Sequence, residues 1–532
     1  MLNQEISAAY NYHESTKHSV WSVQRNRHYL DWDNKPELCK LYPDLEPIPL
    51  PVDLLVTGVP AAHAVLAGAS QSKAETVPSI EQVAYLLYYS AGITKKLIHP
   101  QGQVYFRAAA SAGALYPVEI YLACSDLPGL EAGIYHFSPR EFALHFLRQG
   151  DWRTHLVHGS GDEPSVRAAP LILIFTGVTW RSAWKYQARA YRYHFWDNGT
   201  LLANTLAACA VHRLPARLIM GFVDRAVNHL LGIDGQEEKS LCLLPVGRWS
   251  EPLPERPVNA AEPAPLHLRV APQSPDPLVY RAIEQIHAAS TLHSADEVTA
   301  WRGALSSRVE NPPQGQLFPL EPLTEREARG RSLEDTLLWR GSARRFQRKA
   351  ISFSELSLML HAAQRSFPSD WLNSDGSFLN DLYLNVHAVD GLPAGAYRFR
   401  RHYGALEQLK TGNFRQESAH LCLGQDLGGE ASATVFFLAD LDAILNRYGN
   451  RGYRLAQMEA GILGGRIYLM AYALQRGASG LTFYDDDVIQ FFSPQAAGMQ
   501  TIFVTALGVP GRLGRRGGKI TTVSPGEPIE ED

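Results

Sequence analysis

Hydrophobic and polar residues follow two patterns along this chain, one typical of strands and one typical of helices. Apolar patterns of about fourteen residues at 199–212 and 461–475 predict helices. Apolar runs of roughly six residues favour buried strands. Three such runs occur in each half, at Val118–Ala123, Leu171–Thr176, Leu241–Val246, Leu382–Ala388, Ala433–Leu438 and Thr501–Leu507. The pattern therefore predicts an α+β fold class with the same elements in each half.

Each half also opens with an amphipathic helix marked by a capping box. Ser79 and Gln82 precede the apolar positions of the first helix, and Ser352 and Glu355 precede those of the second. In a capping box, the two side chains satisfy free N–H groups at the start of the helix. Both helices are therefore predicted to begin at these serines and to bury one face.

A single offset of 262 residues relates the two halves, since Gly395-Ala-Tyr-Arg-Phe follows Gly133-Ile-Tyr-His-Phe at that distance. A register held over about ninety residues indicates an internal duplication, with a period too long for a solenoid. Duplicated units with apolar helix faces commonly pair about a two-fold axis, so we expect an intrachain pseudo-dimer. The same offset pairs Tyr186 with Tyr448, Arg189 with Arg451, Arg192 with Arg454, Gly199 with Gly461 and Asp224 with Asp486.

A proline-rich segment separates the halves. Eight prolines between residues 252 and 277 are incompatible with a regular helix or a central strand. A short helical pattern follows at 278–287. We therefore predict a first domain over 1–250, a linker with a short helix over 251–330 and a second domain over 331–532. The length of 532 residues also suits two domains.

Composition narrows the function and the location. The net charge is −4, whereas proteins that coat nucleic acid usually carry a basic excess. The five cysteines are widely spaced, which argues against a zinc site or a disulfide framework. The chain lacks a long apolar run and a basic secretory segment. We expect a cytoplasmic protein without a metal and without nucleic-acid or membrane partners.

The first candidate chemical motif is Arg340-Gly-Ser342-Ala-Arg344, just before the second capped helix. Arginine side chains bind phosphate oxygens bidentately, and a hydroxyl adds a further donor. Arg340, Ser342 and Arg344 therefore suit a phosphate site. A solvated basic segment is the alternative interpretation.

The second candidate motif lies directly before the strand at Val118 and is rich in small residues. Small residues let the backbone approach a flat ligand closely, and a hydroxyl with free N–H groups could bind a ring edge. A tight turn before a strand is the alternative. The motif comprises Arg107, Ser111, Gly113, Leu115, Tyr116 and Pro117.

The third candidate is the adjacent pair Lys185-Tyr186, which lies among further aromatic and arginine residues. A lysine that is partly removed from water has a lowered pKa and can act as a general base. Tyrosine can donate a proton or a hydrogen bond. A surface turn with long side chains lying over aromatic rings is the alternative.

Taken together, these motifs resemble those of the SagB-type flavin oxidases, a branch of the nitroreductase-like fold. Members of this family oxidise azoline rings to azoles in thiazole- and oxazole-containing peptides. The resemblance implies two nitroreductase-like α-β-α domains and an FMN cofactor. It is carried by Tyr12–His18 with Leu30–Trp32, by Ser111–Pro117, by Lys185–Arg192 with Gly199, and by Arg340–Arg344.

Each half departs from the family pattern in a different place. The first half lacks Arg-x-Ser-x-Arg before its capped helix, and the second half has Phe378–Asp381 where the small-residue motif would be expected. Arg447 replaces Lys185 in the second half, and arginine is effectively never a base. In the family, one subunit holds the phosphate and the other covers the ring. The resemblance therefore implies one complete flavin site, shared between the halves.

The resemblance implies two further contacts. The loop Gly477–Gly480 stands where the family presents backbone N–H groups to the flavin, so Ala478, Ser479 and Gly480 become candidates. A basic residue after the last strand often reaches the FMN phosphate in this fold. A charged terminal tail is the alternative interpretation of the basic residues here, which are Arg512, Arg515 and Arg516.

The leading functional expectation is an FMN-dependent oxidase or dehydrogenase that acts on a heterocycle derived from a peptide or an amino acid, with oxygen regenerating the flavin. An NAD(P)H-dependent nitro- or quinone reductase is the enzymatic alternative. A non-catalytic subunit that presents a peptide is the alternative from another class. The expected partners are a small-molecule or peptide substrate, a cyclodehydratase or carrier, and a second copy of the chain.

Overall fold

The computed structural model describes residues 2–68, 74–100, 102–250, 262–305, 311–324, 326–328, 330–372, 378–511 and 519–529. Within these ranges, the first half forms a six-stranded antiparallel sheet. In spatial order its strands are Pro47–Pro49, Ala143–Gln149, Gly133–Ser138, Val118–Cys124, Leu171–Val178 and Glu238–Val246.

The described part of the second half repeats this sheet and adds one edge strand. Five central strands begin 262 residues after their counterparts, as Gly395 follows Gly133. The predicted duplication thus extends to strand order and register. In spatial order the strands are Gly477–Gly480, Gln500–Gly508, Ala433–Ala439, Asn380–Val386, Gly395–Arg400, Ala405–Thr411 and Leu317–Pro319.

Helices cover both faces of each sheet. In the strand Val118–Cys124, Ile120 and Leu122 pack into the core shared with the long helices, whereas Tyr121 and Ala123 pack against the outer helices. This alternation is the period of two expected for a strand buried on both faces. The described helices of the first half are Ser7–Ser15, Val20–Arg25, Ala61–Ala67, Ile80–Ala91, Arg153–Gly159, Pro164–Ala168, Thr179–Tyr186, Ala190–Val211 and Asp224–Leu231.

Two long helices, Ala190–Val211 and Arg451–Ala473, cross at the centre of the molecule. Gly199 and Gly461 mark the crossing, because a Cβ on Gly199 would lie 2.6 Å from the Gly461 Cα. The remaining described helices are Arg281–Ala289, Ala295–Trp301, Leu333–Trp339, Phe353–Ala363, Arg415–Leu421, Asp426–Glu430, Leu441–Tyr448 and Asp485–Phe492. The predicted α+β class and intrachain pairing of two units are confirmed.

Reciprocal buried ion pairs join the halves. Asp485 of the second half accepts from Arg189 at 3.0 Å and from Arg192 at 2.8 Å. Asp224 of the first half accepts from Arg451 at 2.6 Å and from Arg454 at 2.7 Å. The predicted pairing of Asp224 with Asp486 is therefore wrong by one residue. Asp224 and Asp485 are the equivalent residues, because each begins a helix and accepts from two arginines of the opposite half.

The helix inside the predicted linker corresponds to the N-terminal helix. Arg192 donates to the His13 carbonyl at 2.8 Å and to Thr16 Oγ1 at 2.8 Å. Arg454 makes the matching contacts, to the His287 carbonyl at 3.0 Å and to Ser290 Oγ at 2.8 Å. We propose that the second repeat begins before Arg281, inside the segment predicted as linker.

Several local predictions can be compared with the structure. Both capping boxes are present, at Ser79 and at Ser352. The long helices begin about nine residues earlier than predicted, because their first turns are buried all round and show no amphipathic period. The segment Gly477–Gly480 is an edge strand rather than a loop. Among the described residues, no helix is long and apolar enough to cross a membrane.

Candidate active site

A cavity of about 320 Å³ opens between the two halves, and each half supplies one wall. The two walls carry the residue types that the sequence placed in separate motifs, so the fold brings these motifs together. The first half contributes Ala110, Ser111, Ala112, Gly113, Lys185, Tyr186, Tyr193, Trp196, Asp197 and Thr200. The second contributes Ser342, Arg344, Gln425, Tyr468, Ser479, Gly480, Leu481, Thr482 and Phe503.

Gly113 joins two of the predicted motifs. Its φ of +65° belongs to the left-handed region, which favours glycine. A Cβ at this position would lie 2.8 Å from Tyr186 Oη and 3.3 Å from Lys185 Nζ. The small-residue motif therefore packs directly against the Lys185-Tyr186 pair, which explains why a side chain is absent here.

Lys185 and Tyr186 end the helix Thr179–Tyr186, and Gln187 leaves it with a φ of +49°. The Tyr186 ring stacks on Tyr193 with centroids 4.1 Å apart. Partial burial lowers the pKa of Lys185, and the positive charge of Arg344 lowers it further. Burial raises the pKa of Tyr186 well above its usual value. The Lys185 amine is therefore neutral more often than that of an exposed lysine, whereas the Tyr186 phenol stays protonated.

The wall from the second half supplies hydrogen-bond donors. Ser342 and Arg344 line the cavity, and Arg344 is paired with no carboxylate among the described residues. The backbone N–H of Ala343 donates to the Ala478 carbonyl at 2.9 Å, which fixes the phosphate motif to the edge strand Gly477–Gly480. Ser479 and Gly480 line the same cavity, but the Gly480 N–H donates to Tyr468 Oη and is therefore not the free donor that the sequence predicted.

Other predicted site residues have structural contacts instead. Arg340 donates to the carbonyls of Ala108, Gly341 and Arg107, and it does not line the cavity. Arg107 donates to the carbonyls of Val118 and Leu38. Leu115, Tyr116, Pro117 and Ala478 are buried or lie beside the cavity, whereas Arg512, Arg515 and Arg516 lie outside the described residues.

Sequence reasoning missed Asp197, which lines the cavity and is 7% exposed. Its Oδ2 accepts from Ser111 Oγ at 2.6 Å, and its Oδ1 accepts from the Ala112 N–H at 3.1 Å. Burial raises the pKa of Asp197 to about 7, although these two hydrogen bonds oppose the shift. The available signal was the single acid of the helix Ala190–Val211, two residues before Gly199.

Protein fills the pseudo-symmetric position on the other side of the molecule. The edge segment of the first half pairs with Ser369 through Leu218, where the second half leaves its edge open to the cavity. The Asp370 carboxylate accepts from the N–H groups of Met220 at 3.0 Å and Gly221 at 2.7 Å. Trp371 is 1% exposed. We call residues 367–371 the plug.

The counterpart of Lys185 is also occupied. Arg447 donates to the carbonyls of Trp301, Arg302 and Gly303, which end a linker helix. The Trp301 ring packs against Tyr448 with centroids 5.4 Å apart. The second position is therefore closed both by the plug and by the linker, in agreement with the motif losses seen in the sequence.

The open cavity suits a flavin mononucleotide. Tyr193, Trp196 and Phe503 offer flat apolar surfaces, and the crossing of the two halves leaves a slot between them. Ser342 and Arg344 supply the hydroxyl and guanidinium donors that a phosphate requires. The residues present therefore fit the cofactor that the family resemblance implies.

Comparison with known proteins identifies the family to which each half belongs. The Nitroreductase family profile matches residues 74–248 and 337–512, one match in each half. The trifolitoxin-processing protein TfxB of Rhizobium leguminosarum is 27% identical over 176 residues, which cover 32% of this chain and 47% of TfxB. The microcin B17-processing protein McbC of Escherichia coli is 24% identical over 133 residues, covering 24% of this chain and 49% of McbC. The chain thus spans about half the length of each.

A solved structure extends the similarity over the whole molecule. A provisionally named nitroreductase from Anabaena variabilis is 28% identical, with a TM-score of 0.74, and the match covers 95% of this chain and 99% of that one. The family resemblance predicted from the motifs is confirmed, and the similarity to TfxB and McbC supports the peptide-processing branch of that family. The chain belongs to the nitroreductase family and carries two family domains in tandem.

Proposed function

We propose that this protein is an FMN-dependent oxidoreductase that oxidises a heterocycle derived from a peptide or an amino acid, converting an azoline to an azole. The observation that supports it best is the shared cavity. Lys185 and Tyr186 of the first half face Ser342 and Arg344 of the second half across a space of about 320 Å³. Proteins of this family generally bind flavin.

Each wall has its own task in this proposal. Ser342 and Arg344 hold the phosphate, and the aromatic residues Tyr193, Trp196 and Phe503 pack on the ring system. When bound, FMN supplies a hydride acceptor, the chemistry for which proteins recruit flavins. The chain positions the ring, excludes water and provides the acid–base groups.

Lys185 removes the substrate proton. Its amine is the candidate base because partial burial and Arg344 both lower its pKa. Tyr186 remains protonated, because burial raises its pKa, and it orients the substrate by donating a hydrogen bond. Overall, Lys185 would take one proton from the azoline, a bound FMN would supply the acceptor for the hydride, and oxygen would be the final oxidant.

The substrate class rests on the relatives. TfxB and McbC are named as processing proteins of trifolitoxin and microcin B17, and a solved microcin synthetase complex McbBCD contains a bound truncated pro-peptide. We extend this to the present chain as a proposal: its substrate is peptidic or carrier-bound, and a cyclodehydratase that forms the azoline ring is its partner.

We also propose that one chain holds one FMN. The closed second position supports this stoichiometry, because the plug and Arg447 occupy the space and the contacts that a second flavin would need. The tandem arrangement then provides a dimer-like site within a single polypeptide.

The proposal is tested by incubating the purified yellow protein with a thiazoline-containing peptide and oxygen, with mass spectrometry as the readout. We expect loss of two hydrogen atoms from the ring and release of hydrogen peroxide. Rapid bleaching of the flavin by NAD(P)H, without ring oxidation, would instead indicate a nitro- or quinone reductase. A colourless protein would indicate a peptide-presenting subunit.

A further inference from the structure

A buried carboxylate shapes the cavity wall beside Ser111. Asp197 lies on the long helix Ala190–Val211 and reaches the small-residue motif, where it accepts from Ser111 Oγ at 2.6 Å and from the Ala112 N–H at 3.1 Å. Neither Lys185 nor Tyr186 bonds to it. The proposed reaction therefore leaves the only cavity-lining carboxylate of the described residues without a role.

The pseudo-symmetric residue provides an internal reference. Glu459 follows Asp197 at the 262-residue offset, is fully buried, and accepts from the N–H groups of Leu379 at 2.7 Å and Asn380 at 2.9 Å. Burial raises the pKa of Glu459 to about 7, as it does for Asp197. Both acids anchor the backbone before a central strand, but only Asp197 does so at the open cavity.

The hydrogen bonds of Ser111 fix the polarity of the wall. A serine hydroxyl has one proton and two lone pairs. The proton is given to Asp197, and one lone pair accepts from the Tyr116 N–H at 2.9 Å. The remaining lone pair can only accept, so an ionised Asp197 makes Ser111 an acceptor toward any ligand.

We propose that Asp197 is a positioning residue that locks Ser111 as a hydrogen-bond acceptor, so that this wall selects the N–H-bearing edge of a flavin ring. The inference rests on the proposed function insofar as the ligand is a flavin. A ligand edge that carries an N–H gains a hydrogen bond here, whereas an edge with carbonyl oxygens alone meets a lone pair.

The same arrangement makes ring binding depend on pH. The charged and titratable groups around Asp197 are Lys185, Tyr186, Tyr193 and Arg344 at the cavity, and Tyr116 and Arg107 on its other side. Because burial places the pKa of Asp197 at about 7, its carboxylate becomes protonated as the pH falls through neutrality. A protonated carboxyl can donate to Ser111, which releases the hydroxyl proton toward the ligand and removes the acceptor.

The test uses riboflavin, which lacks the phosphate and stays uncharged near neutral pH. Binding is followed by the quenching of riboflavin fluorescence as full-length apoprotein is added. Measurements are made at about pH 6 and about pH 8, one unit on either side of the Asp197 pKa of about 7. We expect wild-type affinity to be roughly 3- to 10-fold higher at the higher pH, the worth of one hydrogen bond.

The variants separate this role from a structural one. Asp197→Asn and Ser111→Ala should each show the weaker affinity at both pH values, whereas Lys185→Gln should keep the pH step. Glu459→Gln is the matched control, since it loses an equivalent buried carboxylate away from the cavity. It should bind riboflavin as the wild type does.

Wild-type affinity and pH dependence in both Asp197→Asn and Ser111→Ala would overturn the inference and leave the proposed flavin chemistry intact. An equal loss in Glu459→Gln would also overturn it, because the effect would then belong to the fold. A wild-type chain that binds neither riboflavin nor FMN would overturn both the inference and the proposed function.

Discussion

Replacing Arg344 with methionine tests whether the second half binds the phosphate of the flavin. The guanidinium lines the cavity and is paired with no carboxylate among the described residues, so a bound phosphate would be its first anionic partner. Methionine keeps much of the side-chain length and removes only the charge and the donors. The change therefore isolates the phosphate contact from packing.

A hydrogen bond to a charged group is worth about 1.5–3 kcal/mol, which corresponds to a roughly ten- to hundredfold change in affinity. Arg344 is exposed, and solvent screens such contacts. We therefore expect the lower end, about tenfold weaker FMN binding. Equilibrium titration of the apoprotein with FMN and, in parallel, with riboflavin measures it: the loss should appear for FMN alone.

Arg345→Met is the matched control, because Arg345 is the exposed neighbour of Arg344 and does not line the cavity. Arg344→Met should also move the pH profile of turnover to higher pH, since the charge of Arg344 helps to lower the pKa of Lys185. Unchanged FMN affinity, or an equal loss for riboflavin, would refute the phosphate assignment.

Four further predictions concern the catalytic pair and the contacts between the halves. Lys185→Ala and Tyr186→Phe should stay yellow and lose turnover by about 10²–10⁴-fold, whereas Arg447→Ala, which breaks bonds to linker carbonyls, should lower the melting temperature and keep turnover. Asp485→Asn should cost about 3–5 kcal/mol in urea unfolding at neutral pH. Because Arg189 and Arg192 outweigh burial and lower the pKa of Asp485 to about 2, that difference should shrink as pH falls from about 4 toward 2. Gly461→Ala places a methyl group 2.6 Å from the Trp196 carbonyl oxygen and should cost about 1–3 kcal/mol by the same assay.

Periodicity and the repeat revealed most of the fold. The predicted strand starts at Val118, Leu171 and Ala433 coincide with the observed ones, and both capping boxes form, because these signals are local. The starts of the long helices were missed. Their first turns carry arginines and aromatic rings that are buried by segments distant in sequence, including the opposite half, so the local sequence shows no helical period there.

The site was predictable in composition and less so in geometry. Gly113, Lys185 and Arg344 meet at one cavity, as the motifs implied. Arg340 does not, because its guanidinium donates to a carbonyl of the opposite half. The sequence alone cannot show whether a guanidinium faces a ligand or such a carbonyl. Asp197 and the plug depend on tertiary contacts between distant segments, for which the sequence offers no spacing rule.

The amount of flavin bound by each chain tests the central claim most directly. Flavin released by denaturing a weighed, mass-verified sample is identified by chromatography and quantified by absorbance. We predict one FMN per polypeptide, held in the cavity between Lys185 and Arg344. Two flavins per chain would contradict the closed second position, and a chain that remains flavin-free after incubation with FMN would contradict the shared site itself.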